Sequence, residues 1–174
     1  MTRTQMARTV TLKGKPVELE GPELKAGMKA PDAVLKKSLG DWYKLGEGDG
    51  KIRLISVVPS LDTPVCAAQT KRFNEEAGRH PDVLFYTVSV DLPPAQARFC
   101  GAEGIDTQKL LVLSDHFDCA FGKAWGTLIP GLRIEARALF IVDKEGVIRY
   151  AEYVPEVAEH PKYDEALKVI KSLG

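Results

Sequence analysis

Cysteine, net charge and long apolar runs are all scarce in this chain of 174 residues. There are three cysteines, and none belongs to a Cys-x-x-Cys motif, which argues against both a structural zinc site and a disulfide scaffold. The formal net charge is zero, so a broad basic surface for nucleic acid is not expected. No apolar run approaches the roughly 20 residues that a membrane-spanning helix needs, so no membrane partner is expected.

The first eight residues also lack the apolar segment of a secretory signal, although they contain Arg3 and Arg8. We therefore expect a cytoplasmic protein, in a compartment where thiols are kept reduced. Its cysteines are then either core residues or redox groups. With 44% hydrophobic and 28% charged residues, the composition is that of an ordinary globular protein, and the length suits one domain over residues 1–174.

Turn residues and apolar patterns predict an α/β fold. Two short alternating segments around Gly14 predict an N-terminal β-hairpin over about residues 9–19. From residue 52 onward, predicted strands alternate with helices, which implies parallel βαβ units, and a closing hairpin adds antiparallel strands. The result is a thioredoxin-like layout, with a mixed central sheet flanked by helices. Gly78 and Gly101 are expected to end the first two helices. Strands are predicted at 33–35, 42–45, 52–58, 83–90, 110–113, 137–142 and 147–153, helices at 67–77, 93–100, 118–125 and 163–173, and a loop at 126–135.

A single cysteine, Cys66, lies where the strand at 52–58 gives way to a helix. Thr63 or Asp62 can cap that helix through a side-chain oxygen, and Pro64 suits its first position. Cys66 then falls in the first turn, where the helix dipole and the free N–H groups favour a thiolate. Asp62 would oppose that charge, so a cationic partner is expected. The alternative is a buried core cysteine, which is what most free cysteines are.

Two motifs in this sequence resemble those of the peroxiredoxin family. PSLDTPVC at 59–66 matches the signature of Pro, three residues, Thr, two residues and Cys. FCGAEG at 99–104 resembles the resolving-cysteine segment of the thiol peroxidase branch, and 33 residues separate Cys66 from Cys100. Further similarity at 89–93, 131–143 and 163–167, together with the N-terminal hairpin, extends the resemblance over nearly the whole chain.

The resemblance implies a peroxidase that needs no metal and no bound organic cofactor. Cys66 would be the thiolate that attacks hydrogen peroxide or an alkyl hydroperoxide. Thr63 would hydrogen-bond the peroxide or the sulfur, and Pro59 would shield the site from water. The family also places an arginine beside the thiolate, a task that suits its fixed donors and permanent charge. Arg137 matches that position, and Arg133 is the lower-ranked alternative.

The resemblance also implies how the oxidised sulfur is recycled. Cys100 would attack the sulfenic acid on Cys66 to give a disulfide within one subunit, and thioredoxin would reduce it by exchange. The branch is typically homodimeric. Cys119 belongs to neither motif and is interpreted as a packing residue.

Three other functions remain open at this point. A redox sensor or holdase could use Cys66 and Cys100 as a switch without turnover. A cysteine hydrolase would need His80, His116 or His160 against Cys66. A plain thioredoxin-like oxidoreductase is disfavoured, because the nucleophile has no partner cysteine two or three residues away.

Overall fold

The structure, a computed structural model, describes residues 8–174 as eleven strands, four α-helices and one turn of 3-10 helix. The 3-10 turn is Leu45–Gly48. The helices are α1 (Pro64–Arg79), α2 (Pro93–Glu103), α3 (Ala120–Trp125) and α4 (Tyr163–Leu173). The strands are β1 (Arg8–Leu12), β2 (Lys15–Leu19), β3 (Val34–Lys36), β4 (Trp42–Lys44), β5 (Ile52–Val57), β6 (Val83–Ser89), β7 (Leu110–Ser114), β8 (Leu128–Ile129), β9 (Ile134–Glu135), β10 (Ala138–Val142) and β11 (Ile148–Tyr153).

The predicted thioredoxin-like arrangement is confirmed. Seven strands form the central sheet in the order β11-β10-β5-β6-β7-β3-β4. The three middle strands β5, β6 and β7 run parallel, and the flanking strands pair antiparallel. Every residue of β5 is buried, as expected for a parallel strand that is covered on both faces.

Side chains that alternate along the strands of the central sheet pack into two of the core clusters, one on each face of the sheet. Along β10, Leu139 and Ile141 face a cluster that includes residues of α1, α2 and α4. Ala138, Phe140 and Val142 face the other cluster, which includes Phe121 and Trp125 of α3. Helices therefore cover both faces, and both Cys66 and Cys100 belong to the first cluster.

The predicted N-terminal hairpin is also confirmed, as strands β1 and β2. Lys13 and Gly14 form its turn with positive φ angles of 51° and 79°, the conformation that suits a two-residue hairpin loop. The hairpin packs through Val10 against Ile129, Ala136 and Val157. Its first strand is also bonded to the segment after β11, because the Val157 N–H donates to the Thr11 carbonyl at 2.7 Å.

Several predicted boundaries were wrong. Pro64 is the first residue of α1, as predicted, but α1 continues through Gly78 to Arg79, and α2 continues through Gly101 to Glu103. A glycine ends a helix only when its backbone turns to positive φ, and Gly104 does this at φ 67°. Cys100 therefore lies inside α2 rather than at its end. The predicted loop at 126–135 contains the β8–β9 hairpin.

The prediction that no secretory signal is present concerns residues 1–8, of which 1–7 lie outside the described residues. The single-domain prediction stays a prediction. Within residues 8–174, no helix combines the length and the apolar character that crossing a membrane requires.

Candidate active site

Cys66 lies at the C-terminal end of the parallel strands, as predicted. β5 ends at Val57, a short loop follows, and α1 begins at Pro64, so Cys66 is the third residue of that helix. Its side chain is fully buried, with 0% exposed. A sulfur in the first helical turn lies near unpaired N–H groups and the positive end of the helix dipole, which favour a thiolate.

Arg137 contacts the Cys66 sulfur, and the sheet register explains why. Ala138, the first residue of β10, pairs with Val57, the last residue of β5, so Arg137 lies at the same sheet end as Cys66. Arg137 is 2% exposed, and its Nη2 lies 3.3 Å from Cys66 Sγ. The predicted pair of nucleophile and arginine is thus brought together across 71 residues of sequence.

The remaining hydrogen bonds of Arg137 go to neutral oxygens. Nη1 donates to Gln69 Oε1 and Nε donates to the Val157 carbonyl, each at 2.8 Å. A buried guanidinium favours a negative partner, because burial of an uncompensated charge is costly. Since the other two acceptors are neutral, the arrangement favours negative charge on the Cys66 sulfur.

Gln69 is a site residue that the sequence analysis missed. It is fully buried, and its Nε2 donates to Ser56 Oγ at 2.7 Å, which leaves Oε1 directed at Arg137. Gln69 lies three residues after Cys66, a spacing that places both on one helix face. That spacing was the available signal, and a buried amide at this position holds the guanidinium in place.

Thr63 is the N-cap residue of α1, but the predicted capping hydrogen bond was wrong. Its hydroxyl donates to the Ser60 carbonyl at 2.8 Å, and no side-chain cap bond is made. Since this donation uses the only hydroxyl hydrogen, the oxygen lone pairs of the exposed Thr63 side chain are left to accept a hydrogen bond. Pro59 is buried two residues beyond the end of β5.

Arg133 does not share this site. Its side chain is exposed and donates to the carbonyls of His116 and Phe117, at 3.2 and 3.5 Å. The structure therefore favours Arg137 over Arg133 as the arginine beside the sulfur.

No histidine within residues 8–174 hydrogen-bonds Cys66. His160 Nδ1 lies 2.8 Å from the Tyr163 hydroxyl, and His80 Nε2 lies 3.6 Å from a Glu76 carboxylate oxygen. The cysteine hydrolase hypothesis needs a base at the sulfur, and the position beside the sulfur is occupied by Arg137 instead.

Cys100 and Cys119 are both buried free thiols, but they lie in different surroundings. Cys100 is 6% exposed in α2, and burial raises the pKa of its thiol. Cys119 precedes α3 with a left-handed backbone, and burial raises its pKa, as do the nearby carboxyls of Asp115 and Glu135. Burial therefore favours the neutral thiol form of both cysteines, and the nearby Arg133 guanidinium offsets only part of this effect at Cys119.

Glu135 and Asp115 form a buried pair of carboxyl groups that the sequence analysis also missed. Glu135 is fully buried two residues before Arg137, and the Thr127 hydroxyl donates to it. Asp115 faces it and accepts hydrogen bonds from the Phe121 and Gly122 N–H groups at 3.0 and 2.9 Å. Burial, followed by the interaction with Asp115, raises the pKa of Glu135 well above its usual value.

This raised pKa predicts how stability depends on pH. Glu135 stabilises the fold fully below its unfolded pKa, and the contribution is lost as pH rises through the folded pKa. A glutamine at this position cannot ionise but can donate to Asp115 and accept from Thr127, so we expect Glu135→Gln to remove this loss. Urea unfolding from pH 4 to pH 8 should show the variant gaining stability over the wild type as pH rises.

Glu156→Gln is the matched control for that experiment. Backbone N–H groups of Ala158 and Gly14 lower the pKa of Glu156, so its stabilisation is present at neutral pH and lost on acidification. Glu156→Gln should therefore be less stable than the wild type at neutral pH, whereas Glu135→Gln should gain stability over the wild type as pH rises. Wild-type and Glu135→Gln unfolding curves that shift in parallel across this pH range would contradict a buried neutral Glu135.

Comparisons with known proteins identify the family of this chain. The Redoxin family model matches residues 25–167. A thiol peroxidase from Bacillus subtilis (strain 168) is 52% identical over 165 residues, which cover 94% of this chain and 97% of that protein. A peroxiredoxin-like protein from Aquifex aeolicus, known from its crystal structure, is 45% identical with a TM-score of 0.89, over 97% of this chain and 99% of that one.

A more distant solved structure shares the fold. The thiol peroxidase from Chromobacterium violaceum has a TM-score of 0.84 at 19% identity, over 94% of this chain and 95% of that one. The coverage, the identities and the Cys66–Arg137 contact lead to one conclusion: the chain belongs to the thiol peroxidases of the Redoxin family.

Proposed function

We propose that this protein reduces hydrogen peroxide and alkyl hydroperoxides with Cys66 as the nucleophile. The observation that carries the proposal is the 3.3 Å contact between Arg137 Nη2 and Cys66 Sγ in the first turn of α1. A fixed cation beside a sulfur, at the positive end of a helix, favours the thiolate that attacks a peroxide. Family membership supports the same reaction.

In the first step, the Cys66 thiolate attacks the terminal oxygen of the hydroperoxide. The S–O bond forms as the O–O bond breaks, and the sulfur is oxidised by two electrons to a sulfenic acid. The leaving alkoxide, or hydroxide in the case of hydrogen peroxide, takes up a proton to become an alcohol or water. Arg137 polarises the O–O bond through its donors. The free lone pairs on the Thr63 hydroxyl accept from the peroxide O–H, and the buried Pro59 limits access of water.

In the second step, Cys100 attacks the sulfenic sulfur, the S–S bond forms and water leaves. Both sulfurs start from helical, buried positions, and burial raises the pKa of the Cys100 thiol. Local opening of α1 or α2 therefore accompanies this step, since it brings the sulfurs together and exposes Cys100 to solvent, where it loses its proton more readily. A dithiol protein of the thioredoxin type then reduces the disulfide by exchange.

A cytoplasmic homodimer is part of the proposal, and exposed apolar side chains support the dimer. Trp42 and Phe117 are 47% and 61% exposed, with ring centroids 5.3 Å apart. Leu132 adds a third exposed side chain next to Arg133, which contacts the Phe117 carbonyl. Adjacent exposed aromatic and aliphatic groups are typical of protein contact surfaces.

Steady-state peroxide consumption with thioredoxin, thioredoxin reductase and NADPH tests the proposal. We expect many turnovers per molecule with hydrogen peroxide and with an alkyl hydroperoxide. One equivalent of peroxide should lower the mass of the protein by two hydrogens and join the Cys66 and Cys100 peptides. Oxidation that occurs once and then stops, with thioredoxin present, would identify a redox sensor or holdase and overturn the proposal.

Cys100→Ser separates the two chemical steps. We expect the variant to consume about one equivalent of peroxide at the wild-type rate and then to stall, because the sulfenic acid on Cys66 has no resolving thiol. Further peroxide should give the sulfinic acid, seen as two added oxygens by mass spectrometry. Cys119→Ser is the matched control and should cycle normally. Normal thioredoxin-dependent cycling of Cys100→Ser would remove its resolving role.

A further inference from the structure

The carboxylate of Asp91 bonds to the loop that precedes Cys66. Ser60 Oγ donates to Asp91 Oδ1 and the Leu61 N–H donates to Oδ2, each at 2.8 Å. Hydrogen bonds to an ionised carboxylate are stronger than neutral ones. Two such bonds, one from a side chain and one from the backbone, fix the loop between β5 and α1 at this point.

From Ser60 the hydrogen bonds continue towards the start of α1. Ser60 Oγ accepts from the Asp62 N–H at 3.2 Å, and the Ser60 carbonyl accepts from the Thr63 hydroxyl at 2.8 Å. Thr63 is the N-cap residue of the helix that carries Cys66. Asp91 therefore acts through Ser60 on the position of Thr63 and of the first turn.

Asp91 is held on its other side by the sheet and by α2. Ser89, the last residue of β6, donates to Asp91 Oδ2 at 2.6 Å. Gln96, a buried residue of α2, donates to Ser89 Oγ at 3.1 Å. The Asp91 carbonyl also accepts from Ser114 Oγ at the end of β7. Asp91 thus joins the loop before Cys66 to the helix that carries Cys100.

A cavity of about 510 Å³ lies between that loop and α2. It is lined by residues 60–62, by Asp91, and by side chains of α2 that include Arg98 and Phe99. The loop therefore has space beside it once its bonds to Asp91 are released.

We propose that Asp91 is a positioning residue whose carboxylate holds residues 60–63 in the closed conformation that reacts with peroxide, and that these bonds are released before Cys66 meets Cys100. The inference rests on the proposed function. The strength of these bonds then sets a partition: the sulfenic acid is either resolved by Cys100 or oxidised again by a second peroxide. Stronger bonds favour the peroxide reaction and over-oxidation, and weaker bonds favour resolution.

Asp91→Asn tests this inference. Asparagine offers one acceptor oxygen in place of two and directs N–H groups at the remaining donors, so at least one bond to the loop is lost. In stopped-flow measurements with hydrogen peroxide, we expect slower sulfenic acid formation and several-fold faster disulfide formation. The yield of sulfinic acid per turnover should fall by a similar factor.

Two further variants serve as a weaker perturbation of the same hydrogen bonds and as a control. Ser60→Ala removes the bond to Asp91 Oδ1 and the acceptor of the Asp62 N–H, but it keeps the Leu61 bond to Oδ2. It should shift the partition in the same direction by a smaller factor, and it tests the inference even if Asp91→Asn does not fold. Asp143→Asn is the matched control, because Asp143 accepts the Glu145 and Val147 N–H groups at 2.9 and 3.0 Å at the opposite end of the sheet. It should lose stability without a change in the partition.

The outcomes separate this inference from the function on which it rests. A wild-type protein that forms no Cys66–Cys100 disulfide would overturn the proposed function. A wild-type protein that cycles, with an unchanged ratio of resolution to over-oxidation in both Asp91→Asn and Ser60→Ala, would overturn the positioning role alone. Loss of stability in Asp91→Asn with that ratio unchanged would identify a purely structural aspartate.

Discussion

Replacing Cys66 by serine is expected to abolish peroxide consumption, with a loss on the order of the 10⁶-fold that removal of a catalytic nucleophile can cause. The serine hydroxyl stays protonated at neutral pH and its oxygen cannot be oxidised to the counterpart of a sulfenic acid. The substitution is nearly isosteric, and a serine hydroxyl can still accept from Arg137, so the fold should persist. The loss would then belong to the chemistry and not to the structure.

The measurement is thioredoxin-coupled peroxide consumption, together with the mass of the protein after excess peroxide. Cys66→Ser should gain no oxygen at residue 66 and form no intramolecular disulfide. Cys119→Ser controls for the loss of a buried thiol elsewhere. Retained turnover in Cys66→Ser would refute the central claim, whatever the behaviour of the other cysteines.

Arg137→Ala carries the second-largest expected effect, a decrease of about 10²–10³-fold in the rate of the peroxide step. The substitution removes the cation that stabilises the thiolate and the donors that polarise the O–O bond. The midpoint of the pH–rate profile should also move to higher pH, because a thiolate without its cation forms less readily.

Two companion variants make the Arg137 experiment specific. Arg137→Lys keeps the charge but loses the planar fork that bonds Gln69, Val157 and the sulfur together, so only partial recovery is expected. Arg133→Ala removes a nearby arginine that contacts loop carbonyls, and it should leave the profile unchanged. An unchanged pH–rate profile in Arg137→Ala, with a loss in Arg133→Ala, would reverse the assignment.

Arg137→Ala also leaves buried acceptors without a donor, on Gln69 and Val157, which is destabilising in its own right. Denaturant unfolding of each variant at the assay temperature separates this effect from catalysis. A folded Arg137→Ala protein with a slow peroxide step and a shifted profile supports the role in catalysis.

Much of the fold was predictable because its elements follow strong local patterns. α4 has the predicted bounds, since apolar residues recur at helical spacing between a clear start and the chain end. The C-terminal ends of α1 and α2 were not predictable, because the sequence around Gly78 and Gly101 does not distinguish a glycine inside a helix from one that ends it. Only the backbone φ angle makes this distinction, and Gly104 has the positive φ angle of a glycine that ends a helix.

The residues of the site also differ in how far the sequence predicts them. Cys66 follows from a local strand-to-helix signal, and Arg137 from the resemblance to a known family. Asp91 and Glu135 depend on contacts between segments far apart in sequence, and an isolated aspartate or glutamate is most often solvated. Gln69 is intermediate, because its helical spacing from Cys66 was visible but its burial was not.

The N-terminal hairpin has a consequence for protein engineering. It lies in a separate two-stranded sheet, so it looks dispensable. Yet β1 bonds the Val157 N–H through the Thr11 carbonyl, and the Val157 carbonyl is the acceptor that fixes Arg137 Nε. Trimming the chain through its first strand would remove the bond to the Val157 N–H and loosen the same residue's carbonyl, which holds the Arg137 guanidinium. A minimal peroxidase cut from this sequence therefore has to keep strand β1.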